Sequence, residues 1–507
     1  MLAIRSLGSG RHRLMAAGLA AAVPLAIVGA TAPPPASSLP GGGWSGLWLS
    51  TTSTAAGTSL ADVRKIIAAD TGAAATLTGS GVGIALIDTG VASVPGLPAA
   101  NIVNGPDLSF ESQSANLRYH DSYGHGTHLA GIMVANDTAT GAKGIAPGAK
   151  VTSIKAGTAN GAADVTQVIA AIDWVVKNRN HDPANPIRVL NLSYGSGGNP
   201  PAWSDPLQFA VEQAWKAGIV VVAAAGNQGN ATGRLNNPAN DLVVMAVGST
   251  STKGTIPVSD DTVSTFTNIH HQRPLDVVVP GESIASLRVE GSNIDNSYPG
   301  ARVGTTLFKG SGTSQSAAVV SAAVALLLQY KPSLTPDLVR RYIEESRTWL
   351  PNGLEGAGSL NVNAAIAKIN STPNPYLPTR SYGAGDGPVH DARGISRAVS
   401  NGVELVGEKS IFGPWSSSTW AAKAKTQTTW AGGVWMGYRM AGDGWTGSSW
   451  ASKTWAAGTW PGASWAGPAN WTDPAWTGRY WSGRYWSAGA WTGRYWSSDD
   501  WETAYWG

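Results

Sequence analysis

At 507 residues, with 43% hydrophobic and 13% charged side chains and a formal net charge of +3, the chain is too long for one ordinary core. Three arginines and no acid lie in the first thirty residues, so the remainder is formally neutral and has no general electrostatic pull on nucleic acid or anionic lipid. The absence of cysteine excludes disulfides, which leaves core packing, aided by any bound ions, to hold an exported chain together.

Arg5, Arg11 and Arg13 precede the apolar run "LMAAGLAAAVPLAIVGA", which ends in the small residues Val28, Gly29 and Ala30. This order predicts a secretory signal over residues 1–30. The run is shorter than a bilayer span and Pro24 interrupts it, which disfavours a membrane anchor. No later segment reads as a span, so the mature protein is expected to be secreted without one. Residues 31–59 read as a short propeptide or linker.

From about residue 60 to 370, short β-rich runs alternate with amphipathic helical stretches. "GVGIALIDTG" (81–90) reads as a buried strand ending at a turn. In "DVTQVIAAIDWVVKN", Asp164 suits an N-cap, and Val165, Val168, Ile169, Ile172, Val175 and Val176 share one helical face. "RVLNLSYG" predicts a second strand, "SDPLQFAVEQAWKAG" a helix stopped by Gly218, and "IVVVAAAGN" a third strand. Strands near "DLVVMAVGS" and "LDVVVPG" follow, then a small-residue helix from Ser314 to about Tyr330. A last helix starts at Thr335, with Pro336 in its first turn. Such alternation implies βαβ units around a parallel sheet, with reactive groups gathered at the carboxyl ends of the strands.

Three motifs fall at such ends. "ALIDTG" leaves Asp88 at the end of a hydrophobic strand, where an Asp commonly only bonds its own turn. "DSYGHGTHLAG" sets His125 and His128 in a glycine-flanked segment running into a helix. No Cys or nearby Glu at ligand spacing accompanies the two histidines, so the pattern does not favour a metal site. "GSGTSQSAAVV" holds Ser311, Ser314 and Ser316 among uncharged residues. A serine hydroxyl there needs a base and an orienting group from elsewhere to become a nucleophile.

D-T-G, H-G-T-H and G-T-S in this chain order resemble the subtilisin-like (subtilase) serine peptidases, and the resemblance covers roughly residues 60–370. It implies an α/β, subtilisin-like three-layer fold with a mainly parallel central sheet flanked by helices. It further implies a serine endopeptidase with protein or peptide substrates and no cofactor for the chemistry. Motif by motif, Asp88 becomes the orienting carboxylate, His125 the general base and then acid, and Ser314 the nucleophile. Asn227, closing "AAAGN", resembles the family's oxyanion asparagine. Ser193, Tyr194 and Gly195, with Ala223, Ala224, Ala225 and Gly226, resemble the segments that line an extended peptide and its side-chain pocket. Small walls there suggest a medium to large apolar side chain before the scissile bond. His128, Ser311 and Ser316 read as packing or capping residues.

Two features depart from the family pattern. After G-T-S the run is Gln315, Ser316, Ala317, Ala318, without the customary proline, which aids helix entry but does no chemistry. The stretch between the signal and the core is also shorter than a usual folded prodomain. Structural Ca²⁺ is implied only through the family, because no dense acidic loop fixes its ligands.

Residues 371–412, opening with the proline-rich "STPNPYLPTR", read as a linker and small connector. Residues 413–507 form a tail rich in Trp and Gly. Tryptophan recurs there at 445, 450, 455, 460 and 465, slips to 471, then continues every fifth residue to 506. A period of five fits neither a helix nor a strand, which leaves an irregular, β-solenoid-like or disordered tail. Exposed rings would stack on sugars of a cell wall or glycan surface, whereas a self-packed tail would bind nothing. Seven basic and five acidic residues over 411–507 are too balanced for a nucleic-acid funnel. The tail resembles those beside subtilase domains in some actinobacterial proteins. A rival reading, a surface-binding protein with an inactive peptidase-like body, sits poorly with an intact Asp, His, Asn and Ser set.

Overall fold

The computed structural model describes residues 57–439, apart from 114–116, 160, 162, 351–357, 374, 395–398, 401–402, 411–412, 432–433 and 437. The expected signal at 1–30, most of 31–59 and the tryptophans from Trp445 onward lie outside the described residues.

In chain order the region from residue 60 runs α1 (Leu60–Ile66), β1 (Gly83–Asp88), β2 (Ile102–Asp107), α2 (His125–Val134), β3 (Lys150–Lys155), α3 (Val165–Asn178), β4 (Ile187–Leu192), α4 (Pro206–Lys216), β5 (Val220–Ala224) and β6 (Met245–Ser251). It continues through β7 (Thr262–Val263), β8 (Val277–Pro280), β9 (Ile284–Leu287), α5 (Asn293–Ser297), β10 (Arg302–Val303), β11 (Leu307–Gly310), α6 (Thr313–Tyr330), α7 (Pro336–Ser346), β12 (Thr348–Trp349), β13 (Gly358–Ser359) and α8 (Val362–Ser371). The main sheet has the order β12-β13-β8-β6-β5-β4-β1-β3-β2, with β7 added beside β6. Its central neighbours from β8 to β2 are parallel, as the βαβ alternation predicts.

Central strands of this sheet are buried along their length, β1 and β5 at every residue, and such strands need cover on both faces. Helices supply it: α3 packs on α4 and β1, while α2 packs on α6, which in turn lies across β4, β5 and β6. Local chemistry sets where the helices begin. Asp164 and Gln167 form a reciprocal capping box at α3, Asp205 caps α4 ahead of Pro206, and Thr335 caps α7 ahead of Pro336. Among the described residues α6 alone is long and apolar enough to cross a bilayer, contrary to the expectation that no later segment would be. It is instead the core helix, buried from Thr313 to Leu328.

Beyond α8 the chain departs from the expected linker and tail. The proline-rich stretch is irregular, as predicted, but strapped down: Arg380 pairs with Asp337, the Gly383 N–H donates to the Glu212 carboxylate at 2.8 Å, and the Gly387 N–H donates to the Ser204 carbonyl at 2.8 Å. A short helix, α9 (Val389–Arg393), and α10 (Ser417–Lys425) follow. Trp415, Trp420, Trp430 and Trp435 are all buried in the main core. The fold therefore runs past the expected boundary at 413, and these four rings are core residues. A large ring with one N–H packs where the N–H finds an acceptor. Here α3 offers the Ala170 carbonyl to Trp430 at 2.9 Å and the Asp173 carboxylate to Trp420 and Trp435.

Candidate active site

The strand register puts the predicted residues on one edge of the sheet. Asp88 ends β1; β3 ends opposite it at Lys155, and β4 ends at Leu192, opposite Ile87. The chain leaves that same edge at Ser193 after β4, and at Ala225 to Asn227 after β5.

Asp88 Oδ1 lies 2.8 Å from His125 Nδ1, with both side chains buried. Two further bonds reach the same oxygen, from the Thr89 N–H at 2.8 Å and the Thr89 hydroxyl at 3.2 Å. A carboxylate can only accept, so Nδ1 carries the proton and, in the neutral ring, Nε2 is the basic nitrogen. His125 is the first residue of α2, after Gly124 at φ +105°. Gly126 is required next, because a Cβ there would meet the Gly90 carbonyl oxygen at 2.1 Å.

Sequence reasoning missed Asp121 and Thr89. Asp121 accepts from the Gly124 N–H at 2.7 Å, the Thr127 N–H at 2.7 Å and the Thr89 hydroxyl at 2.8 Å. Thr89 in turn accepts from the Gly126 N–H at 3.0 Å. This network ties the start of α2 to the turn after β1 and fixes the imidazole against Asp88. An acid four residues before a glycine-flanked histidine was the available signal.

Ser314 is the second residue of α6, buried in its first turn, where backbone N–H groups lack helical partners and favour an anion. α2, which begins with His125, packs on α6, which carries Ser314 in its first turn. Asn227 Oδ1 accepts from both the Thr313 N–H and the Thr313 hydroxyl at 2.9 Å, which fixes the carboxamide with its oxygen toward the helix. The other serines are structural: Ser311 accepts from the Ser283 N–H at 2.8 Å, and Ser316 donates to the Val279 carbonyl at 3.2 Å. His128 Nε2 lies 3.1 Å from the Phe308 carbonyl and 3.2 Å from that of Ile284. Burial, then the neighbouring His125, pushes His128 down to about 3, so it is a neutral packing residue.

Ser193, Tyr194 and Gly195 leave β4 buried, and the Ser193 hydroxyl donates to the Ser314 carbonyl at 3.4 Å. Ala223 and Ala224 lie inside β5, their positions paired with β4 and β6, so their backbone is committed to the ladder. Ala225 also donates its N–H to the Val247 carbonyl of β6 at 3.0 Å, while the Gly226 N–H donates to the Thr313 hydroxyl at 3.2 Å, which sets Gly226 beside the helix that carries Ser314. No group of three or more His, Asp or Glu side chains suited to a metal ion occurs among the described residues, so no calcium ligands are assigned.

A doubly wound sheet carrying a buried Asp–His pair and a serine at a helix N-terminus at its carboxyl edge defines a serine hydrolase. The subtilase family model matches residues 79–385, more than half of the chain. Serine protease AprX of Bacillus subtilis is 32% identical over 303 residues, 57% of this chain and 67% of that one. Subtilisin Savinase of Lederbergia lenta is 32% identical over 290 residues, 92% of its length. The crystal structure of a cold adapted subtilisin-like serine proteinase aligns at 27% identity with a TM-score of 0.44, covering 56% of this chain and 89% of that one. The chain belongs to the subtilase family and is a serine-type endopeptidase with the subtilisin-like α/β fold.

Proposed function

We propose that this endopeptidase works through Asp88, His125, Ser314 and Asn227. Nε2 of His125 takes the proton of Ser314 Oγ as that oxygen attacks a peptide carbonyl. The Asn227 carboxamide and the Ser314 N–H hold the oxyanion, while Asp88 stabilises the imidazolium. The imidazolium then protonates the leaving amine, and water repeats the sequence on the acyl-enzyme. The observation that carries this reading is the 2.8 Å Asp88–His125 bond at the sheet edge that also holds Asn227 against Thr313, the residue before Ser314. Peptide substrates lie along Ser193 to Gly195 and the Ala225–Gly226 turn, with an apolar side chain before the scissile bond.

The enzyme is secreted by the 1–30 signal, and tryptophans from Trp445 onward grip a cell wall or glycan surface. Structural calcium, carried by the family, has no residues assigned to it here.

A fluorophosphonate that labels the protein but not its Ser314→Ala variant, together with loss of casein cleavage in that variant, is the expected result. Labelling that persists in Ser314→Ala rejects the assignment, and an unlabelled parent protein favours a surface-binding role. Retention of the full chain on purified cell wall, and its loss in a chain ending after Met440, tests the tail.

A further inference from the structure

The extension beyond α8 touches the loops on either side of the Asp88 strand. Arg393, fully buried in α9, donates through Nε to Asp164 Oδ2 at 2.7 Å, and its other nitrogens reach the carbonyls of Lys409 at 2.7 Å and Gly407 at 3.3 Å. Asp164 caps α3 and closes the connection from β3. That connection begins with the Ala156 and Gly157 N–H groups on the Asp88 carbonyl, at 2.8 and 3.1 Å, and the Ala159 N–H on Glu111 at 2.6 Å. One residue before Arg393, the Ala392 carbonyl accepts from the Ser196 hydroxyl at 2.6 Å. Ser196 directly follows the Ser193 to Gly195 wall. The approach is close enough that a Cβ on Gly198 would meet the Ala392 oxygen at 2.4 Å.

These contacts meet at one place. Strands β4 and β3 flank β1, so the loops leaving them stand on opposite sides of Asp88. A guanidinium fork has fixed donor geometry, and a buried ion pair satisfied on all sides holds its partners in a single arrangement. A loop bearing many backbone groups toward a ligand needs such support to stay preorganised.

We infer that α9 is a positioning brace for the substrate cleft, in which Arg393 and the Ala392 carbonyl fix the spacing of the β3 and β4 loops and so set the affinity for extended peptides. The inference rests on the reading of Ser193 to Gly195 as a peptide wall. Arg393 touches no reacting atom, so its removal acts on substrate binding while leaving the reactivity of Ser314 intact.

The test compares Arg393→Lys and Ser196→Ala with the parent on a tetrapeptide anilide and on a small fluorophosphonate, with melting temperatures measured alongside. Lysine keeps the charge but loses the fork, and alanine removes only the link to Ala392. Expected is a KM raised about three- to tenfold, roughly the effect of one lost hydrogen bond, with kcat and the labelling rate within about twofold. Arg380→Met, which loosens the extension at Asp337 and Leu242 and leaves the bonds to Asp164 and Ser196 in place, is expected to lower the melting temperature without moving KM. Unchanged KM in both Ser196→Ala and Arg393→Lys, or an equal rise in Arg380→Met, overturns the brace. If Arg393→Lys fails to fold, Ser196→Ala alone decides. Absence of labelling in the parent would instead defeat the nucleophile assignment.

Discussion

The indole N–H of Trp420 donates to the Asp173 carboxylate at 2.8 Å, joining positions 247 residues apart, and Trp435 donates to the same oxygen at 2.9 Å. Burial pushes the Asp173 carboxyl up to about 7, although the indole donors pull the other way. A raised folded pKa means a contribution that is complete below the ordinary carboxyl range and lost as pH rises through about 7. Docking of the 413–439 segment is therefore expected to be firmer at pH 5 than at pH 8.5. Amide exchange around Trp430 in a Ser314→Ala background reads this directly. Asp173→Asn keeps an acceptor without the charge and should flatten the dependence; an undiminished slope in that variant would exonerate Asp173.

Trp420 also meets Phe209 edge-on at 5.6 Å and Trp415 at 5.4 Å. Truncation to alanine should cost about 3–5 kcal/mol, as for other fully buried aromatic side chains. Trp420→Phe keeps most of the ring but removes one donor from a buried carboxylate, for about 1–3 kcal/mol. Denaturant unfolding of the inactive variant separates the two. A negligible loss in Trp420→Phe would mean that the N–H contributes nothing.

The central fold was legible because each of its elements carries its own local signal. β1 reads as a buried run, Asp164 as a cap, and Pro336 as a first-turn residue, and all are so placed. The motifs place Asp88 at a strand end, Asn227 just past one, and His125 and Ser314 where helices start, and the chain folds in that way. Thr89 and Asp121 were harder, since an acid hydrogen-bonded to three donors looks in sequence like any loop acid. The extension was illegible for a tertiary reason: Arg393 and Asp164 are 229 residues apart, and nothing near either names the other. The five-residue step that marks the later tryptophans also links Trp415 to Trp420 and Trp430 to Trp435, a sign that this series begins inside the fold.

His128 works against Asp173 in its response to acid. Held neutral with a pKa near 3, it gives stability that is present above the ordinary histidine range and lost as pH falls from about 6.5 toward 3. In the Ser314→Ala background, His128→Asn should lower the melting temperature at pH 7 by removing bonds to Phe308 and Ile284. It should also lose less on going to pH 4 than the parent does. A parallel drop in both proteins would assign the acid sensitivity elsewhere.

Replacing Asn227 by Leu removes the side-chain donor proposed for the oxyanion while filling its space. A loss of about 10² to 10³ in kcat with little change in KM is expected, the range known for this donor in subtilisin itself. Asp88→Asn should cost about 10⁴, because the amide can present its N–H to Nδ1 and stabilise the wrong tautomer. Steady-state kinetics on a peptide anilide checks both. A change confined to KM would place Asn227 in substrate binding only.

Gln315, directly after Ser314, is fully buried, and neither its carboxamide oxygen nor its nitrogen has a hydrogen-bond partner among the described residues. An unsatisfied buried amide costs about 1–3 kcal/mol, whereas an apolar side chain of similar volume incurs no such penalty. Gln315→Leu is thus expected to stabilise the protein by about 1 kcal/mol, the remainder being offset by the changed side-chain shape. Denaturant midpoints in the Ser314→Ala background measure the difference without autolysis. A lower midpoint for the leucine variant would mean that the carboxamide gains more from polar company, such as an ordered water, than an apolar side chain gains by filling the same space.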